Sequence, residues 1–140
     1  MGSFNILEHT ADGFVEVEGE TLEDLLKTSA IAMFSLMVNI SDVEKRVKRD
    51  ISVSGSDVED ILMNFIKELI FLYSTNGELY SDFEIKIEEG DEISVNAICY
   101  GEPIDRVKHN LSGEVKMLTY HRFNVEKKDG GLRATMLFDM

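Results

Sequence analysis

The chain has 140 residues, 44% of them hydrophobic, with 14 Lys and Arg against 27 Asp and Glu for a formal net charge of −13. That length and apolar content suit one domain spanning residues 1–140 and exclude a disordered chain. The negative field repels phosphate backbones and anionic membrane surfaces, so little direct nucleic-acid binding and no membrane partner are expected. A basic protein partner or a cation fits it, as does an acidity that only maintains solubility.

The start, Met1-Gly2-Ser3-Phe4-Asn5-Ile6, has no basic segment followed by an apolar stretch, as a secretory leader would. Phe14 to Glu18 alternates Val15 and Val17 with Glu16 and Glu18, a half-buried strand. Leu22, Leu25, Leu26, Ser29, Ala30, Met33, Leu36 and Met37 then recur at helical spacing, with Thr21 as N-cap, Asp24 in an acidic variant of the capping box, and Asn39 closing the end. The uncharged run from Thr28 to Ser41 falls short of the ~20 residues that cross a bilayer and reads as the inside of this helix.

Val47 to Val53 alternates again, with Arg49 breaking the apolar row. Val58, Ile61, Leu62, Phe65, Leu69 and Leu72 predict a second helix, with Ser56 and Glu59 as capping box and Asn76-Gly77 as the stop. Ile66, Ile70 and Tyr73 widen its apolar face. Phe83 to Ile87 and Ile93 to Cys99 flank Glu89-Gly90-Asp91 as a hairpin, and Pro103 ends the second strand. Lys116 to Val125 and Leu132 to Phe138 flank Lys127-Lys128-Asp129-Gly130-Gly131 as another hairpin. Two helices and about six strands in mixed order predict an α+β fold: a two-layer sandwich with a mixed, mostly antiparallel sheet. The lone Cys99 excludes an internal disulfide or a thiolate zinc cluster. It reads as a buried, inert thiol and suits a reducing, cytoplasmic setting.

No GxGxxG, GxxxxGK[ST], GxSxG or HExxH pattern occurs. What remains is polar residues where a core does not require them: His9, Asp12, His121 on a strand face shared with Phe123 and Val125, Asp139 after an apolar run, and the terminal carboxylate of Met140. If the chain ends meet, Asp12, Asp139 and that carboxylate converge on one point. Oxygen ligands without sulfur or imidazole suit a hard cation, Ca²⁺ or Mg²⁺. From spacing alone Asp12 reads equally as a turn residue and Asp139 as an exposed terminus. His9 and His121 read as structural histidines, bases or metal ligands.

The same residues carry a family resemblance. Glu8-His9-Thr10-Ala11-Asp12, Ala32-Met33-Phe34-Ser35-Leu36-Met37, Gly101-Glu102-Pro103-Ile104-Asp105 with His109, Val115-Lys116-Met117-Leu118-Thr119-Tyr120-His121 and Phe138-Asp139-Met140 follow in order along the whole chain. This set resembles the archease family. Gly13-Phe14, Leu132 and Met140 depart from the family pattern, at positions of packing or loop shape. The resemblance implies an accessory factor that promotes guanylylation and repeated turnover of an RtcB-type tRNA-splicing ligase, itself using GTP and a metal. It implies no catalysis by this chain. It maps a divalent cation, Ca²⁺ first and Mg²⁺ second, onto Asp12, Asp139 and Met140, and links Lys116 with activation. Two other readings stand beside it: a small metal-dependent hydrolase using Asp12, Asp139 and His121, and a chaperone-like module that holds clients on an exposed apolar patch.

Overall fold

The computed structural model describes residues 2–9 and 12–140, with only the backbone of Glu8 and His9. The helices form where the periodicity places them. α1, Leu22–Ser35, starts at Thr21, whose side chain accepts the Asp24 N–H. α2, Val58–Asn76, starts one residue later than the sequence suggests. Asp57 accepts the Asp60 N–H at 2.8 Å, and Asp60 reaches back to the Ser56 N–H at 2.9 Å, so the box is Asp57/Asp60 rather than Ser56/Glu59. Gly77 ends α2 at φ +62°, a left-handed conformation that costs glycine little. Asn39 does not close α1; it caps the 3-10 turn Ile40–Asp42 by accepting the Ser41 N–H.

The strands divide between two antiparallel sheets. In the first, β1 (Ser3–His9), β2 (Asp12–Gly19) and β8 (Gly131–Asp139) lie side by side, and both β6 (Met117–Leu118) and β7 (Asn124–Lys128) pair with β8. In the second, β5 (Ile93–Pro103) lies between β3 (Val47–Gly55) and β4 (Glu78–Glu89). β4 and β5 form the expected hairpin, and so do β7 and β8, turning through Asp129 and Gly130 at φ +50° and +82°. Positive φ at both central residues is the type I′ geometry whose twist suits a two-residue hairpin.

α1 packs against β2 of one sheet and β4 of the other, while α2 packs against β3 and β5 and also meets β6. Phe34 of α1 anchors this core: the Tyr80 ring meets it edge-on at 5.6 Å, the Phe83 ring lies 6.2 Å away and the Tyr73 ring 6.4 Å. Each fully buried Phe, Leu or Met here contributes roughly 1.5–3 kcal/mol. The α+β sandwich expected from the sequence is the fold observed.

Arg49, which breaks the apolar row of β3, serves a buried acid. It makes two hydrogen bonds to Glu78, at 2.9 and 2.6 Å, and Tyr80 Oη donates a third at 2.7 Å. Those bonds, Arg49's first, hold the Glu78 carboxyl below the usual carboxylate range against its burial. Burial pushes the Cys99 thiol up to about 12, so it stays protonated and inert. Gly101 lies where β4 crosses closest: a Cβ there would stand 1.8 Å from the Leu79 carbonyl oxygen.

Candidate metal and partner site at the paired chain ends

β2 and β8 run antiparallel from Asp12↔Asp139 to Gly19↔Leu132. Alternation sorts the two strands cleanly. Val15, Val17, Ala134, Met136 and Phe138 are fully buried, so the register positions between them face away from the helices. Asp12 and Asp139 occupy the last pair on that outer face. Residues directly opposite on antiparallel strands share a face, with Cβ atoms ~4.5–5.5 Å apart. Two residues 127 positions apart in sequence thus become cross-strand neighbours.

Two contacts seat the chain end. The Lys116 N–H donates to the Asp139 carbonyl at 2.8 Å, and Met117 pairs with Asp139 in β6. Met140 packs partly buried against the core. A Cβ on Gly13 would come 2.7 Å from Leu36 Cδ1 and 3.0 Å from Met140 Sδ, and one on Gly113 would come 3.2 Å from Met140 Cε. Gly13 therefore leaves the space that Leu36 and Met140 fill, which accounts for glycine at this departure from the family pattern. The Met140 side chain is thereby held one residue beyond Asp139.

The next pair inward on the outer face is Phe14 and Leu137. Arg122 lies over Phe14, its guanidinium carbon 4.0 Å from the ring centroid, and Phe14 is only 7% exposed. Arg122 has φ +62°, a region a non-glycine residue enters at a cost of ~1 kcal/mol or more. It corrects the expected strand from Lys116 to Val125. β6 ends at Leu118, a turn closed by the Phe123 N–H on the Tyr120 carbonyl intervenes, and the chain resumes as β7 at Asn124. His121 is therefore exposed in a turn and shares no strand face with Phe123 and Val125. Among the described residues no hydrogen bond or ion pair joins it to Asp12 or Asp139. The His9 side chain, with Thr10 and Ala11, lies outside the described residues.

Lys116 is exposed and lines a groove of about 470 Å³ with Ile70, Tyr73, Ile104, Arg106 and Glu114. Burial, reinforced by the hydrogen bond it donates to Glu114 at 2.9 Å, pushes the Tyr73 hydroxyl up to about 12. The irregular segment before Lys116 is fixed by a buried network that motif spacing alone does not reveal. Glu102, 2% exposed, accepts from the Glu44 N–H at 2.8 Å, Lys108 Nζ at 2.8 Å and His109 Nε2 at 3.0 Å. His109 Nδ1 accepts the Asp105 N–H at 2.9 Å, which leaves the proton on Nε2, facing Glu102. Burial pushes the Glu102 carboxyl up, but its bonds from Lys108, the Glu44 N–H and His109 outweigh this and bring it down to about 2. Ser112 then ties the segment to the end of α1 by donating to the Leu36 and Met37 carbonyls.

Opposed carboxylates with nothing but oxygen to offer suit a hard cation. Among the described residues no group of three or more His, Cys, Asp or Glu side chains gathers as a metal cluster. No helix among the described residues is long and apolar enough to cross a membrane.

Comparison with known proteins gives a consistent result. The model of the Archease protein family (MTH1598/TM1083) matches residues 4–140. Protein archease of Pyrococcus abyssi is 39% identical over 135 residues, covering 95% of each chain. That of Pyrococcus furiosus is 38% identical over 142 residues, covering 100% of each. The solution structure of Methanobacterium thermoautotrophicum protein 1598 superposes with a TM-score of 0.86 at 30% identity, covering 98% of each chain. A Thermotoga maritima crystal structure described as an archease, possible chaperone, shares the fold at a TM-score of 0.65 and 23% identity.

Proposed function

This chain belongs to the archease family, and we propose that it is a cytoplasmic accessory factor, not an enzyme, that activates an RtcB-type tRNA-splicing ligase through a divalent cation held at its paired chain ends. The observation that carries this reading is the register Asp12↔Asp139. Like charges directly opposite on neighbouring strands destabilise a sheet unless something offsets them. Asp12, Asp139 and the Met140 carboxylate would hold the cation, Ca²⁺ or Mg²⁺, which supplies positive charge where three anionic groups converge.

The chain's own residues do the rest. Gly13 and the Met140 side chain hold the terminus in place. The Lys116 main chain fixes Asp139, and its exposed side chain lines the groove, from which it would reach the partner. The Glu102–Lys108–His109 network holds the segment leading to it. A net charge of −13 suits docking on a basic RNA-binding enzyme better than gripping RNA. The hydrolase reading needs a base near the carboxylates, and His121 lies in an exposed turn, off the strand face where the sequence places it.

The test is guanylylation and multiple-turnover RNA joining by a cognate ligase, with this protein substoichiometric, at a constant concentration of the ligase's own metal and with or without added Ca²⁺. Cation-dependent stimulation is expected; a ligase that turns over equally well without the protein would overturn the reading.

A further inference from the structure

The outer flank of α2 and the turn after β6 carry exposed side chains that the cation site does not use. Phe71 is 61% exposed and Tyr120 is 68% exposed. Lys67 ties the two together. Its Nζ donates to Tyr120 Oη at 3.2 Å and stands 5.0 Å from the centre of the ring, and Phe71 follows it four residues on, on the same face of α2. Met117, half exposed, lies three residues before Tyr120 and pairs with Asp139, so the patch runs up to the carboxylates.

Neither ring is on a loose segment. Phe71 is borne on a 19-residue helix. Tyr120 is held in its turn by the Thr119 N–H on the Leu137 carbonyl and by its own carbonyl accepting from Phe123. Large rings on fixed backbone lose little freedom on binding, and Tyr, Phe and Met are the residues that enrich interface centres.

We propose that Phe71 and Tyr120, with Met117 beside them, anchor the docking surface for the ligase partner, the Asp12–Asp139 end being its acidic margin. This rests on the function proposed above and names the surface through which it acts. Charge chooses the occupant. A second copy carries the same net charge of −13 and would be repelled, as would an anionic membrane. A folded protein with basic groups for the margin and an apolar hollow for the rings fits both parts of the patch.

The experiment uses the full chain and its Phe71→Ser, Tyr120→Ser and double variants. It measures the protein concentration giving half-maximal stimulation of guanylylation by a cognate RtcB-type ligase, the Ca²⁺ dissociation constant, the thermal midpoint and the sedimentation coefficient. Each single variant should raise the half-stimulating concentration roughly tenfold and the double on the order of a hundredfold, as anchor residues do. Ca²⁺ affinity and thermal midpoint should stay as in the wild type, since both side chains stand in solvent. Stimulation by the double variant at wild-type concentrations overturns the proposal alone. A wild-type dimer that the variants dissociate overturns it in favour of a second copy. A wild type that does not stimulate overturns the function proposed above and this surface with it.

Discussion

Replacing Asp139 by Asn should have opposite effects with and without the cation. Asn preserves the shape of the side chain and leaves the main chain untouched. The Asp12↔Asp139 register and the 2.8 Å bond from the Lys116 N–H both depend on main-chain atoms alone. What is lost is one of two like charges facing each other across neighbouring strands, a repulsion of ~0.2–1 kcal/mol for a partly exposed pair. At ~2.1 cal/mol/K per residue of unfolding entropy, a chain of this length converts 1 kcal/mol into about 3 °C. In chelator the variant should therefore melt up to about 3 °C above the wild type. With Ca²⁺ at a hundredfold its dissociation constant, the wild type gains ~2.7 kcal/mol, or roughly 9 °C, and the variant only a small part of that. The order of the two proteins reverses. Scanning calorimetry in low salt, where screening is weakest, reads both conditions. A variant that melts below the wild type in chelator, or that gains as much from Ca²⁺, refutes the argument.

Three further outcomes follow from the same structure. Glu102 contributes stability that is full above the ordinary carboxylate range and is lost as pH falls from about 4.5 through about 2, because its folded carboxyl is held down. Glu102→Gln should flatten the acid limb of a pH-melting series, and an unchanged limb would show that the network does not control it. Among the described residues Ser29 Oγ is buried without a hydrogen-bond partner, so Ser29→Ala should raise stability by about 1 kcal/mol in urea denaturation; a loss of stability would mean that the hydroxyl is satisfied. Lys116→Ala removes an exposed side chain while keeping the main-chain bond to Asp139. It should reduce ligase stimulation at unchanged Ca²⁺ affinity, which titration calorimetry beside the turnover assay would reveal.

Much of this architecture is legible in the residues because local rules and tertiary packing agree there. Thr21 and Asn76-Gly77 bound their helices as capping chemistry requires, and Asp129-Gly130 turns a hairpin as its left-handed tolerance allows. β1 escapes notice because its alternation spans only Phe4 and Ile6 before a bulge between Ile6 and Glu8 shifts the register. The break at Tyr120–Arg122 is hidden too, since Arg122 is not a residue whose type announces positive φ. Its guanidinium over Phe14, set by tertiary contact, accompanies the strain. Ser56/Glu59 and Asp57/Asp60 both satisfy the capping spacing, and only the backbone decides between them. At the candidate site, sequence supplies the residue types and the family pattern. The juxtaposition of Asp12 with Asp139 depends on β2 pairing with β8 across the whole chain, which no local pattern specifies. Glu102, Lys108 and His109 lie on one short stretch, but their burial as a network and the Glu44 N–H that completes it, arriving from a separate segment, are not specified by spacing.

The most direct measurement is ligase guanylylation with Asp12→Ala in place of the wild type, in saturating Ca²⁺, alongside circular dichroism of the variant. Asp12 is exposed at the end of its strand, so the fold should persist while stimulation is lost. A folded Asp12→Ala protein that stimulates the ligase undiminished would contradict the account at its centre.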